Sequence, residues 1–363
     1  MPSKRSTGGK TPATPEPLLV SNIHQLGGIE TSVIDDGPGK GVRIAWVNTG
    51  SGLRYKVVID RGLDIADAFF NAHSLTWLTY GGIVAPQRAY DVRDEWLRSY
   101  IGGLLPGCGP VSAGGACVDQ GEILGCHGLH SNTPASVESI IQPDPKRGQN
   151  GFSITGVVKT AKCFGPEIEL RRTLSGELGK AVIHVRDEFI NRGDTTSPHQ
   201  WLLHMNFGWP LAAPGARFIY KGEVIPRSDS HAWFSDPRKY KRVPQPLEIH
   251  RGRDESVAYI DPAADKDGTV KMGIINDKLP LGVAITFNKK QFPRWVNWQH
   301  FSPGGMFVTG IEPSNSGVEG RDIDRQRGWL DKIEPGETKL YETSIEVMTD
   351  KKQLAEFAKQ YND

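Results

Sequence analysis

The chain has 363 residues, with 43 Lys and Arg against 42 Asp and Glu, for a formal net charge of +1. That balance gives no electrostatic reason to expect a nucleic acid or an anionic membrane as partner. Hydrophobic residues make up 37%, with 9 Trp, 9 Tyr and 13 Phe for a substantial core, while 42 Gly and 25 Pro favour many turns over long helices.

The four cysteines, Cys108, Cys117, Cys126 and Cys163, are too few and too irregularly spaced for a disulfide scaffold. They read as reduced thiols, which points to a cytoplasmic protein. The opening "MPSKRSTGGKTPATPEP" has no apolar stretch of the secretory kind, and no apolar run in the chain approaches about 20 residues, so no membrane helix is expected. Residues 1–17 lack the apolar surface to pack and are expected to form a disordered tail.

From residue 18 the signals are mostly those of strands. "VRIAWVNTG" (42–50) and "LRYKVVIDRGLDIADAFF" (53–70) are rich in β-branched and aromatic residues and bounded by Gly and Asp. Residues 92–109 admit one helical turn around Trp96 to Tyr100 before glycines break it. "FSITGVVKTAKC", "EIELRRTLSG" and "AVIHVRDEFINRG" then read as consecutive antiparallel strands. In the last, Val182, His184, Arg186 and Glu188 alternate with Ile183, Val185, Asp187 and Phe189, as for a strand with one face buried. "GVAITFNKKQF", "RWVNWQHF", "MFVTGIEP" and "KLYETSIEVMT" continue the pattern. Only "DKKQLAEFAKQY" reads clearly as a helix, with Leu354, Phe357, Ala358 and Tyr361 on one side. The expected architecture is all-β: one large antiparallel β-sandwich over residues 18–349, with few short helices, closed by a short C-terminal helix over 350–363.

Three clusters carry chemistry. "GEILGCHGLHSNTPA" holds His127 and His130 in a glycine-rich loop. "SPHQWLLHMNFGWPL" places His204 and Asn206 at the end of an apolar run. "GIEPSN" presents Glu312 where a strand meets a proline. No G-x-S-x-G elbow, P-loop or dinucleotide fingerprint is present. Cys126, His127, His130, His204 and Glu312 have metal-binding side chains, but without H-E-x-x-H or a paired C-x-x-C their spacing is unspecific, and no metal or cofactor is assigned. The remaining chemistry is acid–base, because a carboxylate and imidazoles facing one substrate move protons near neutral pH. Trp209, Trp295 and Trp298 offer flat apolar faces for a sugar, and Asp60, Arg61 and Asp64 in "IDRGLDI" are either pocket residues or a turn with an ion pair.

On these clusters the chain resembles the aldose 1-epimerase (galactose mutarotase) superfamily, most closely its divergent branch of the domain of unknown function numbered 4432. "CHGLHSNTPA", "LLHMNFGWP" and "VTGIEPSN" carry the resemblance, with "DRGLDI" and "GGLLPGCG" as further signatures, over roughly residues 20–349. It implies a galactose mutarotase-like supersandwich with a groove on one concave sheet and a small carbohydrate as partner. It also implies roles: Glu312 as general base on the anomeric hydroxyl, His204 as general acid on the ring oxygen, and His127 polarising oxygens, a task His130 could share. Asn206, Arg61, Asp64, Trp298 and Asn315 are expected to contact substrate. The aspartate that holds sugar hydroxyls in the family has no convincing motif, with Asp229, Asp236 and Asp254 as candidates. The expected Asn-Arg pair near the first histidine is missing, with Arg61 or Arg88 as substitutes. The expected activity is epimerisation or isomerisation at or next to the anomeric carbon. Isomerisation or elimination on a keto-sugar, with or without a metal, and a non-catalytic sugar-binding sandwich are the alternatives.

Overall fold

Strand alternation decides where the core lies. In the computed structural model, which describes residues 19–252 and 254–361, Ile183, Val185, Asp187, Phe189 and Asn191 of strand Val182–Asn191 are buried, while His184 and Arg186 face solvent. The expected tail over residues 1–17 lies outside the described residues.

That strand is central in an eight-stranded antiparallel sheet. In spatial order its members are Arg217–Ile219, Thr269–Asn276, Leu281–Asn288, Thr338–Met348, Val182–Asn191, Glu167–Glu177, Gly151–Ala161 and Ser136–Ile141. A second antiparallel sheet runs Gly222–Pro226, Ser256–Pro262, Arg294–Phe301, Phe307–Ser314, Leu202–Leu203 and Gly107–Cys108, with Asn206–Phe207 also paired to Phe307–Ser314. Inner faces of the two sheets share one hydrophobic core: Val185, Phe189 and Ile345 from the first meet Ala258, Ile260, Trp295 and Ile311 from the second. A five-stranded sheet starting at Gly28–Val33 adds Val47, Tyr55 and Val57 to that core. The fold is therefore an all-β antiparallel supersandwich with a few short helices.

The stretch 53–70, strand-like throughout in composition, is two strands, Leu53–Val58 and Asp64–Phe70, because the chain reverses at Gly62 and Leu63, whose φ angles are 64° and 58°. Gly62 is needed there twice over: it takes the left-handed conformation, and a Cβ would stand 2.7 Å from His130 Cε1. Around Trp96 the chain forms one 3₁₀ turn, Glu95–Arg98. The C-terminal helix Lys351–Tyr361 buries Leu354 and Phe357 against Ile219, Ile275 and Met348.

One buried charge network braces the sandwich. Arg172 donates to both oxygens of Asp187 (2.7 and 2.8 Å) and to Asp64 Oδ1 at 3.2 Å. Asp64 also accepts from the Gly107 amide at 2.9 Å and Ser131 Oγ at 2.7 Å. A carboxylate removed from water persists only when paired and hydrogen-bonded in this way. This network explains Asp187, the one acidic residue on the buried side of its strand.

Period two also sets the site apart from the core. On Arg294–Phe301, Trp295 and Phe301 enter the core, whereas Val296 and Trp298 belong to a separate cluster on the opposite face. On Phe307–Ser314, Ile311 points inward, and Val308 joins that outer cluster together with Val257, Tyr259, Trp77, Trp96 and Tyr100. Glu312, an even number of residues from Val308, lies on the outer side.

Candidate active site

A cavity of 580 Å³ opens on that outer face, within the range of ligand pockets. Its lining includes His127, His204 and Glu312, with Trp77, Trp96, Tyr100 and Trp298 as aromatic walls and Arg227, Glu255 and His300 on the polar side.

Glu312 reaches this cavity because Gly310, two residues earlier on the same strand face, has no side chain. A Cβ there would stand 2.8 Å from Glu312 Cδ and 3.2 Å from Cγ, closer still to Oε1. The carboxyl group thus occupies the space Gly310 leaves. Glu312 Oε1 lies 3.1 Å from His204 Nδ1, a close contact without the alignment of a hydrogen bond, and has no other partner.

The tautomer of His204 follows from its neighbours. Asn206 Nδ2 donates to the carbonyls of Gly103 (3.1 Å) and His204 (2.7 Å), so its Oδ1 faces Tyr100 and accepts that hydroxyl at 2.7 Å. With its hydrogen committed, the Tyr100 oxygen is left to accept from His204 Nδ1, 3.1 Å away. Neutral His204 therefore carries its hydrogen on Nδ1 and keeps a lone pair on Nε2.

His127 has the opposite arrangement. The Gly114 amide donates to its Nδ1 at 3.3 Å, which leaves the hydrogen on Nε2. His127 sits at φ 58°, uncommon for a residue with a side chain, and its backbone is held there by bonds from its amide to Gly114 and from Gly109 to its carbonyl. Its ring packs on Trp96 with centroids 4.6 Å apart and meets His204 at 5.4 Å.

Burial sets the charge state. It pushes the Glu312 carboxyl well above the usual carboxylate range, helped by the negative charge of Glu255. It holds His204 well below the usual imidazole range, with His127 acting in the same direction. Burial alone lowers His127 to about 4. Burial raises Tyr100 well above its ordinary range, so it stays a hydroxyl.

Three lining residues hold polar atoms without partners: Trp96 Nε1, a donor; His300 Nε2; and Glu312 Oε1. His300 Nδ1 donates to the Asp254 carbonyl at 2.8 Å, so its Nε2 is an acceptor. All three atoms are buried within the cavity wall rather than exposed at its surface.

Among the residues expected at the site, His127, His204, Glu312 and Trp298 line the cavity, and Asn206 stands one step behind it through Tyr100. Four others do not reach it. His130 is buried with Nε2 3.3 Å from Asp64 and its ring against Trp201. Asp64 belongs to the Arg172 network. Arg61 spends its guanidinium on the carbonyls of Ser131, Val84 and Ser99. Asn315 bonds the Trp201 amide at 2.7 Å and the Tyr341 hydroxyl at 2.9 Å. These four are corrected from substrate contacts to framework: the polar atoms of Arg61, Asp64 and Asn315 satisfy buried backbone and charge, and His130 packs between Asp64 and Trp201 away from the cavity. Trp295 is core and Trp209 is exposed at 73%, so neither is a wall of this cavity. With His130 displaced, the conceivable ligand set His127, His130, His204 and Glu312 is not assembled, and among the described residues no group of three or more His, Cys, Asp or Glu is arranged to hold a metal ion.

None of the three aspartate candidates lines the main cavity. Asp229 pairs with Arg227, Asp236 caps helix Pro237–Tyr240, and Asp254 offers its backbone carbonyl to His300. The second carboxylate there is Glu255, which accepts from Trp298 Nε1 and from Arg227, each at 2.8 Å. Tyr100, Trp96, Trp77, Arg227, Glu255 and His300 went unrecognised from the residues alone. Only His300 had a local signal: it shares strand parity with Trp298.

This architecture is that of the galactose mutarotase-like proteins. A provisionally named aldose 1-epimerase from Klebsiella pneumoniae superposes with a TM-score of 0.83 at 23% identity, covering 92% of this chain and 86% of that one. A galactose mutarotase-like protein from Clostridium acetobutylicum gives 0.63 at 13% identity, covering 90% and 100%. A galactose 1-epimerase from Lactobacillus acidophilus gives 0.58 at 11% identity, covering 88% and 98%. At these identities the likeness is one of fold. Residues 39–347 match the family described as a domain of unknown function, DUF4432, and the chain belongs to that family. No curated protein matches it.

Proposed function

We propose that the protein is an aldose 1-epimerase-like isomerase, which interconverts the anomers of a free sugar by proton transfer. The observation that carries this reading is the Glu312–His204 pair, 3.1 Å apart at the floor of an aromatic cavity with His127 beside it. Similarity of fold to proteins named as epimerases of aldose and galactose supports it.

Opening a cyclic hemiacetal requires a base to take the anomeric hydroxyl proton and an acid to protonate the ring oxygen as its bond to the anomeric carbon breaks. The carbonyl forms, its face exchanges by rotation, and reclosure returns both protons. Reclosure is the reverse of opening, so acid and base exchange roles within one turnover. What differs between enzymes is where the proton rests.

Here burial favours the neutral forms, so the resting proton sits on Glu312 and the open lone pair on His204 Nε2. Glu312 then begins as the acid and His204 as the base, the reverse of the order implied by the family resemblance. The Nε2 hydrogen of His127 is available to polarise the anomeric oxygen as charge develops there.

Exchange spectroscopy between anomers, across a panel of monosaccharides and reducing oligosaccharides, tests this reading. The parent should accelerate exchange for at least one sugar, and Glu312→Gln should abolish most of that acceleration while remaining folded. Binding without accelerated exchange would leave a sugar-binding sandwich in place of an enzyme.

A further inference from the structure

The catalytic cavity does not end at its polar side. A second cavity of 480 Å³ adjoins it, and Arg227 and Glu255 line both. The far cavity is lined by Trp233, Lys239, His250, Asp229 and Asp254. Arg227 is the hinge between them: it pairs with Asp229 and with Glu255, each at 2.8 Å.

A run of rings connects the two cavities. His204 meets Trp298 at 5.5 Å between centroids, Trp298 stacks on His300 at 6.2 Å, His300 on His250 at 5.8 Å, and His250 meets Trp233 at 5.8 Å. The first three rings line the catalytic cavity and the last two the far one. Trp233 is fixed through its indole N–H to Gln299 at 2.8 Å, so its position is preset. Along this path Glu255, Asp229 and Asp254 offer acceptors.

The charge pattern narrows the ligand. Among the described lining residues of the catalytic cavity, Arg227 is the only Lys or Arg, and two carboxylates already hold it. Among the described lining residues of the two cavities together, Glu255, Asp229 and Asp254 stand against Arg227 and Lys239, so an anionic sugar would meet more carboxylate than cation. Aromatic walls beside acceptors suit an uncharged polyol instead.

We infer that the two cavities are adjoining subsites for one neutral reducing disaccharide, its reducing ring over His204 and Glu312 and its second ring beside Trp233. The inference rests on the acid–base reading for which ring occupies the first cavity, and on the ring path for the second.

The test is equilibrium binding to the full chain, followed by tryptophan fluorescence, for glucose, galactose, glucose 6-phosphate and glucose disaccharides of every linkage in both anomeric configurations, with lactose. At least one disaccharide should bind about tenfold or more tighter than its reducing-end monosaccharide, a difference of about 1.4 kcal/mol. Trp233→Ala should erase that gap while leaving monosaccharide affinity unchanged. Ile249→Trp, at an exposed lining position of the far cavity, should do the same by filling it, without touching the core. Equal affinity for every disaccharide and its monosaccharide, tighter binding of the phosphate, or equal loss for both ligands in the two variants overturns the inference. Discriminating binding with no anomer exchange would instead remove the catalytic reading and leave the paired subsites standing.

Discussion

Gly310→Ala isolates the geometry of the proposed acid–base pair without altering either partner. The added methyl carbon would stand 2.8 Å from Glu312 Cδ and nearer to Oε1, well inside contact distance. Gly310 does not have a positive φ, so alanine costs no backbone strain there. Phe307–Ser314 is paired on both sides, with Arg294–Phe301 and with Asn206–Phe207, so the strand has little freedom to yield. The carboxyl group must swing away by about 1 Å or more, and a misplacement of that size costs on the order of 100-fold in rate. Overpacking of this kind destabilises by about 1–3 kcal/mol. The expected outcome is therefore a roughly 100-fold loss in anomer exchange in a protein that still unfolds cooperatively, measured by exchange NMR beside urea denaturation. Full activity in Gly310→Ala would refute the claim that the 3.1 Å approach of Glu312 to His204 matters. A fall in stability large enough to unfold the chain would show that Gly310 serves the sandwich and not the site.

Tyr100→Phe removes the acceptor that holds the His204 Nδ1 hydrogen; kcat should fall about tenfold or more with KM little changed, and the pH–rate profile should shift, whereas a purely structural role would leave the profile in place. Glu312 has a folded-state pKa raised above its ordinary 4.5, so its burial costs stability progressively as pH rises through that value toward the folded one; Glu312→Gln should be more stable than the parent at neutral and alkaline pH, by thermal melting across pH. His127 runs the other way: its pKa falls from 6.5 to about 4 on folding, so the parent loses stability as pH drops between those values, by up to about 3 kcal/mol from this residue, and His127→Asn should lose less over the same interval. Arg172→Met leaves Asp64 and Asp187 buried without their cation and should cost about 3–5 kcal/mol in urea denaturation, although no residue of the cavity is touched.

The sequence by itself determined the class of the fold, because alternation is a local property. Ile183, Val185 and Phe189 announce a half-buried strand, and Leu354 and Phe357 a helix, with no knowledge of what covers them. It also marked His127, His204 and Glu312, since each stands where a strand or a glycine-rich loop breaks. What tertiary structure alone decided was which polar residues face ligand and which hold up the core. "HGLH" offers two imidazoles three residues apart. Only the folded chain turns His127 toward His204 and His130 toward Asp64, because the left-handed backbone at His127 and Gly128 points the two rings in different directions. Arg61 and Asp64 look the same in sequence whether they bind a sugar or a buried carbonyl. Tyr100, Glu255 and Arg227 join the cavity from segments far apart in the chain, and nothing local distinguishes a side chain that will meet its partners only across the sheet.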